Sequence, residues 1–105
     1  MATLSLFTLA CHETSDAVGG DEAFIHVDGQ RVFGPADIDR GQTREVGFSK
    51  PFTGQVSIDL FDAESFGSDF LGNIVVRESE AGQGRKVGTF RQAGAHYTLT
   101  YEVGR

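Results

Sequence analysis

The sequence has little cysteine, proline or positive charge, and these shortages exclude several classes of protein. Its 105 residues include one Cys, two Pro and no Trp. Because Cys11 cannot form an internal disulfide, the fold must be stabilised by packed apolar side chains. A single cysteine does not distinguish a reducing from an oxidising compartment. Nine Lys and Arg stand against fifteen Asp and Glu, giving a net charge of -6. This balance opposes nucleic-acid binding, which requires basic surfaces, and makes cations the expected ionic partners.

Long apolar runs are also missing. No segment approaches the roughly 18 apolar residues that a membrane-spanning helix requires. Residues 1–11 are apolar but lack a basic leading region, and Thr8 stands three residues before Cys11, where a lipoprotein signal has an aliphatic residue. We therefore expect a soluble protein without a recognisable signal peptide, of unknown compartment, whose first segment is a strand. The length predicts one domain over residues 1–105.

Period-two alternation of apolar and polar residues is the main structural signal. It is clearest in the segment from Ala95 to Val103 and recurs in Val56–Leu60 and in Ala23–Val27. Such alternation predicts strands with one buried and one solvated face, which is typical of antiparallel sheets. Weaker strands are expected at Thr3–Ala10, Gln30–Phe33, Arg44–Phe48, Phe70–Arg77 and Lys86–Phe90.

Turn-forming segments rich in glycine separate these strands, and no segment has a convincing helical stripe. The one segment that could form a short helical turn is Pro35–Asp39, because proline is favoured at the first position of a helix. About eight short strands at this spacing predict an all-β, antiparallel two-sheet sandwich. Periodicity alone does not distinguish a sandwich from a closed barrel.

Two acidic loops flank the strongest strands. The C-terminal acidic loop, about residues 62–69, carries Asp62, Glu64 and Asp69 within one turn-sized segment. These carboxylates repel one another unless a cation lies among them, and calcium prefers about 6 to 8 hard oxygen ligands. The N-terminal acidic loop, about residues 13–22, carries Asp16 and Asp21. In a sandwich the two loops can meet at one end, so the five acids could share one site.

These two loops resemble the C2 domain, a calcium-dependent and often lipid-binding β-sandwich. The segment Gly20–Val27 is similar to the run that ends the first loop of that family. Asp62-Ala63-Glu64 followed by Asp69-Phe70-Leu71-Gly72 is similar to its third loop. The chain departs from the family pattern at Ala23, at Glu64 in place of Asp, and in the spacing of Asp16 to Asp21, which is one residue shorter.

The resemblance implies a noncatalytic module whose apical loops hold one or two calcium ions. By position, the implied ligands are Asp16, Asp21, Asp62, Glu64 and Asp69. Phe66 lies near the tip of the third loop, where membrane-binding members carry an apolar residue that enters lipid. We therefore expect Phe66 to contact a phospholipid surface or a protein partner, or else to pack beneath its own loop. The oligomeric state is left open.

Several alternatives compete with this interpretation. Acidic turns also occur without metal, because Asp is a favoured turn residue. A module that binds protein or carbohydrate without calcium is the alternative function. An EF-hand starting at Asp62 would require Glu where Asn73 stands. His12, His26 and His96 are widely separated in sequence, which disfavours a zinc site. We expect no enzyme, because Cys11 and His12 would point to opposite faces of a strand.

Overall fold

In a computed structural model that describes residues 1–105, eight strands form two antiparallel four-stranded sheets. The first sheet has the order β4-β1-β8-β7 and the second the order β3-β2-β5-β6. The strands are β1 (Ala2–Glu13), β2 (Asp21–Val27), β3 (Gln30–Ile38), β4 (Thr43–Phe52), β5 (Gln55–Ala63), β6 (Ser68–Arg77), β7 (Arg85–Phe90) and β8 (His96–Gly104). The all-β two-sheet sandwich predicted from the alternation is confirmed.

The core lies between the two sheets and is built from alternate residues of each strand. In β8, Tyr97, Leu99, Tyr101 and Val103 are buried while the residues between them are partly exposed. β5 shows the same pattern from Val56 onward. The apolar period-two positions in the sequence therefore face the core, as expected for half-buried strands.

One local prediction was wrong. Residues 35–38 do not form a helical turn but continue β3, because Ala36 pairs with Ala23 and Ile38 pairs with Asp21 of β2. Pairing with a neighbouring strand thus overrides the local preference of Pro35 for a helix start. The one 3₁₀ turn lies instead at Glu78–Glu80, between β6 and β7. No helix in the structure is long and apolar enough to cross a membrane.

The strand directions gather four loops at one end of the sandwich, which we call the apical end. These are residues 14–20 between β1 and β2, 39–42 between β3 and β4, 64–67 between β5 and β6, and 91–95 between β7 and β8. Both acidic loops therefore lie at the same end. The backbone of Cys11 at this end pairs with the 39–42 loop through Cys11 N to Gln42 O at 2.9 Å and Gly41 N to Cys11 O at 2.8 Å.

Candidate metal centre

Four carboxylates from the two acidic loops converge at the apical end. One oxygen from each of Asp16, Asp62, Glu64 and Asp69 can be chosen so that all lie within 4.8 Å of one another. Three of these residues belong to the β5–β6 hairpin and one to the N-terminal acidic loop. Asp16 and Asp62 are 46 positions apart in sequence. They share one site because both loops lie at the same end of the sandwich.

The hairpin explains why three acids come together locally. Asp62 near the end of β5 and Asp69 near the start of β6 are direct cross-strand partners. The connecting turn is closed by a hydrogen bond from Glu64 N to Gly67 O at 3.1 Å, and a carboxylate oxygen of Glu64 lies within 4.8 Å of an oxygen of each partner. Like charges directly opposite each other destabilise an antiparallel strand pair. The hairpin therefore stores a repulsion that a cation would relieve.

Asp62 is the deepest member of the group. It continues the inward-facing series of β5 after Ile58 and Leu60, and its side chain is 0% exposed. Its Oδ1 accepts a hydrogen bond from Glu22 N at 2.8 Å, whereas its Oδ2 is buried and has no partner. An unpartnered buried carboxylate oxygen is costly, so most such groups in proteins are paired or bind an ion. Asp62 also lines an open cleft of about 290 Å³ with Asp16 and Glu64.

The electrostatics of the group favour a bound cation. Burial raises the pKa of Asp62 to about 7, and the charges of Asp21 and Asp16 add to this, against the lowering effect of the Glu22 N–H. The close approach of the Asp69 carboxylate raises the pKa of Glu64, and the charge of Asp16 adds to this, against the lowering effect of the nearby Asp62. None of the four ion pairs in the structure includes a carboxylate of this group. No basic side chain therefore neutralises it.

Asp21, the fifth acid expected from the sequence, lies outside the group of four. It is 1% exposed, and its carboxylate accepts hydrogen bonds from Ser15 N at 2.8 Å, Asp16 N at 3.1 Å and the Tyr97 hydroxyl at 2.6 Å. Burial, followed by the hydrogen bond to Asp21, raises the pKa of Tyr97, so this hydroxyl stays a donor. A ligand role for Asp21 remains a prediction. Its carboxylate is already engaged by two loop amides and by the Tyr97 hydroxyl of β8.

Two large apolar side chains project from the loops around the acidic group. Phe66 at the tip of the C-terminal acidic loop is 98% exposed, so it does not pack beneath its loop. Val18 in the N-terminal acidic loop is 91% exposed, and sequence reasoning missed it. The signal was available, since Val18 is the one large apolar residue between Glu13 and Asp21.

The structure brings two of the three histidines together. His12 and His96 are adjacent, with ring centroids 4.7 Å apart, although they are far apart in sequence. His12 Nε2 lies 2.9 Å from Thr98 Oγ1, and His96 Nδ1 lies 3.3 Å from an Arg91 guanidinium nitrogen. The rings thus face a hydroxyl and a cation instead of further metal ligands, which disfavours zinc here. His26 packs against the rings of both Phe24 and Phe61, which stack on each other.

The acidic group fits calcium in chemistry and size. All of its donors are hard carboxylate oxygens, which suit calcium and magnesium better than softer metals. Two oxygens bound to the same calcium are at most about 4.6–5.2 Å apart, twice the usual metal–oxygen distance. The 4.8 Å spread of the four oxygens falls within this limit.

Comparison of the sequence with family models and with curated proteins gave no match. The fold is similar to a solved C2 domain, with a TM-score of 0.65 and 13% identity over 100% of both chains. It is also similar to the C2A- and C2B-domains of Extended-Synaptotagmin 2, with a TM-score of 0.64 and 17% identity over 98% of this chain and 39% of that one. The calcium-bound form of those domains gives a TM-score of 0.61 and 18% identity over 97% of this chain and 44% of that one.

The protein therefore has the C2-like β-sandwich fold that the two acidic loops suggested. At these identities the likeness establishes the fold.

Proposed function

We propose that this protein is a calcium-binding module that holds one ion between Asp16, Asp62, Glu64 and Asp69. The observation that carries the proposal is the Asp62 carboxylate, whose Oδ2 is buried without a hydrogen-bond partner among three other carboxylates. An ion at this point would supply the missing partner. It would also relieve the repulsion between four negative groups that have no basic neighbour within ion-pair distance.

A single ion is favoured over two by the size of the group. The four oxygens are close enough to share one ion. The Asp21 carboxylate already accepts hydrogen bonds from two backbone amides of the loop and from the Tyr97 hydroxyl of β8. With one oxygen from each of four residues, about 2 to 4 of the usual 6 to 8 positions of calcium are left for water or another oxygen ligand. A calcium-bound relative with this fold supports the proposal.

The proposal does not include catalysis. The one thiol, Cys11, is 1% exposed, whereas the neighbouring His12 lies on the exposed face of β1. Burial raises the pKa of Cys11, and the nearby Tyr97 acts in the opposite direction. A protonated, buried thiol is a poor nucleophile.

Calcium titration tests the proposal directly. Isothermal calorimetry of the metal-free protein should show one binding event per chain. At calcium one hundred times above Kd, the melting midpoint should rise by about 10–20 °C, because binding then contributes about 2.7 kcal/mol and 1 kcal/mol shifts a domain of this size by about 4–8 °C. Asp69→Asn should remove most of both responses.

Asp37→Asn is the matched control, because Asp37 is an exposed carboxylate of β3 outside the group of four. This variant should respond to calcium as the unchanged protein does. A protein that shows neither binding heat nor a midpoint shift with calcium would refute the proposal.

Exposure of Phe66 and Val18 favours a second function, calcium-dependent docking on phospholipid membranes. Two apolar tips flank the acidic group, and the open positions of a bound calcium could accept phosphate oxygens of lipid headgroups. The acidic chain would be repelled by anionic lipid without calcium. Sedimentation with phosphatidylserine-containing vesicles should therefore require calcium, and Phe66→Ser should reduce it. Equal sedimentation in calcium and in chelator would contradict this function.

A further inference from the structure

The N-terminal acidic loop is folded around the carboxylate of Asp21. Asp21 is the first residue of β2, and it accepts hydrogen bonds from the backbone of Ser15 and Asp16 at 2.8 and 3.1 Å. These two bonds draw the start of the loop back toward its end. They fix the backbone of Asp16, the one member of the acidic group that the N-terminal acidic loop supplies.

A residue of the opposite sheet secures this carboxylate. The Tyr97 hydroxyl of β8 donates to Asp21 Oδ2 at 2.6 Å, and both residues are almost completely buried. A distance this short is typical of a charge-assisted hydrogen bond, which is roughly twice as strong as a neutral one. Three donors therefore compensate a carboxylate that would otherwise be costly to bury.

We propose that Tyr97 is a positioning residue for the apical site. Its hydroxyl fixes the Asp21 carboxylate, and Asp21 in turn holds Asp16 close to the three acids of the β5–β6 hairpin. The other three acids are arranged by the β5–β6 hairpin and need no such support. The conformation of the N-terminal acidic loop thus decides whether the fourth carboxylate reaches the site. The metal-binding part of this inference rests on the proposed function.

The chain offers a matched pair of variants. Tyr97→Phe removes only the oxygen that bonds Asp21. Tyr101→Phe removes the hydroxyl of the other tyrosine of β8, which donates to Glu80 Oε1 at 2.8 Å. Tyr101 lies about 13 Å farther from the apical end, at about 3.3 Å per residue. Both changes delete a hydroxyl from a carboxylate partner, but only one touches the site.

The first measurement is amide hydrogen exchange by NMR in calcium-free buffer, with Ile58 and Leu60 of the core as internal references. Tyr97→Phe should speed exchange at the Ser15 and Asp16 amides by about tenfold or more, since hydrogen bonds to charged groups account for at least that factor. Tyr101→Phe should leave these two amides unchanged. If the Ser15 and Asp16 amides of Tyr97→Phe exchange at the same rate as in the protein without substitutions, the proposal is overturned.

The second measurement is calcium affinity by calorimetry, which should fall about tenfold in Tyr97→Phe and stay unchanged in Tyr101→Phe. Affinity that is unchanged in both variants also overturns the positioning role. Exchange is measured without metal, so the two proposals are tested separately. If the protein without substitutions binds no calcium, the proposed function is refuted, and the exchange data still show whether Tyr97 fixes the loop through Asp21. If Tyr97→Phe does not fold, Asp21→Asn is measured in the same way, and unchanged exchange at Ser15 and Asp16 again overturns the proposal.

Discussion

Asp62 and Asp69 are direct cross-strand partners at the apical end of β5 and β6, one fully buried and the other exposed. Two like charges in this relationship destabilise a hairpin. The burial of Asp62 adds to the cost, because its Oδ2 has no partner. The calcium-free protein thus carries a local instability at the place where an ion would bind.

Removing the charge of Asp62 should therefore have opposite effects with and without calcium. Asp62→Asn keeps the oxygen that accepts the Glu22 N–H. In chelator at pH 8 the variant should be more stable than the unchanged protein by about 1–3 kcal/mol, the usual cost of an unsatisfied buried polar group. With calcium the order should reverse. Denaturant unfolding in both buffers measures this, and a variant less stable in chelator would count against the strained carboxylate.

Val18 should contribute to vesicle binding together with Phe66. Both are exposed at the apical end, and each buried CH₂ group contributes about 0.8 kcal/mol of transfer free energy. Val18→Ser should therefore weaken calcium-dependent binding to phosphatidylserine vesicles by about tenfold. Val87→Ser is the control, since Val87 is 63% exposed but lies on β7 away from the apical loops. Equal losses in the two variants would argue against apical docking.

Glu80 should make the free energy of unfolding depend on pH in the acidic range. Its carboxylate accepts hydrogen bonds from Arg77 N at 2.8 Å, Lys86 Nζ at 2.9 Å and Tyr101 at 2.8 Å. Burial alone would raise the pKa of Glu80, but these donors outweigh it and lower the pKa below the ordinary value of 4.5. A lowered folded-state pKa gives stability that is present above pH 4.5 and is lost as the pH falls through the folded-state value.

Glu80→Gln should accordingly cost about 1–2 kcal/mol at pH 7 and less at pH 3, because the unchanged protein progressively loses the same contribution as the pH falls below 4.5. Denaturant unfolding at the two pH values measures the difference. Glu102→Gln is the control, because Glu102 of β8 makes no side-chain hydrogen bond or ion pair in the structure. If Glu80→Gln lowers the free energy of unfolding equally at pH 3 and pH 7, the lowered pKa of Glu80 is contradicted.

Gly34 should not tolerate a side chain. Its φ of +81° lies in the left-handed region, and a Cβ there would collide with the carbonyl oxygen of Ala23 in the neighbouring strand. Gly34→Ala should therefore destabilise the fold by about 3 kcal/mol or more. Gly29 has nearly the same φ, +82°, but open space around it, so Gly29→Ala should cost only about 1 kcal/mol. Thermal melting of both variants separates steric collision from backbone strain.

Much of the candidate site was predictable from the sequence because it is local. Asp62, Glu64 and Asp69 flank one hairpin, so a strand assignment on either side brings them together. The continuation of β3 past Pro35 was not predictable, because it depends on pairing with Asp21 and Ala23. The pairing of His12 with His96 was hidden for the same reason, since the β1–β8 register joins opposite ends of the chain.

The sequence by itself determined the approximate positions of the eight strands and the three acids of the β5–β6 hairpin, because period-two burial and short turns are properties of neighbouring residues. Pairing between distant strands decided that they form two separate sheets. The tertiary structure decided which acids meet. It brought Asp16 to the hairpin and withdrew Asp21 into a buried hydrogen bond with Tyr97, 76 residues away. Only the packing of one sheet on the other places a tyrosine hydroxyl beneath that loop, and no local pattern encodes it.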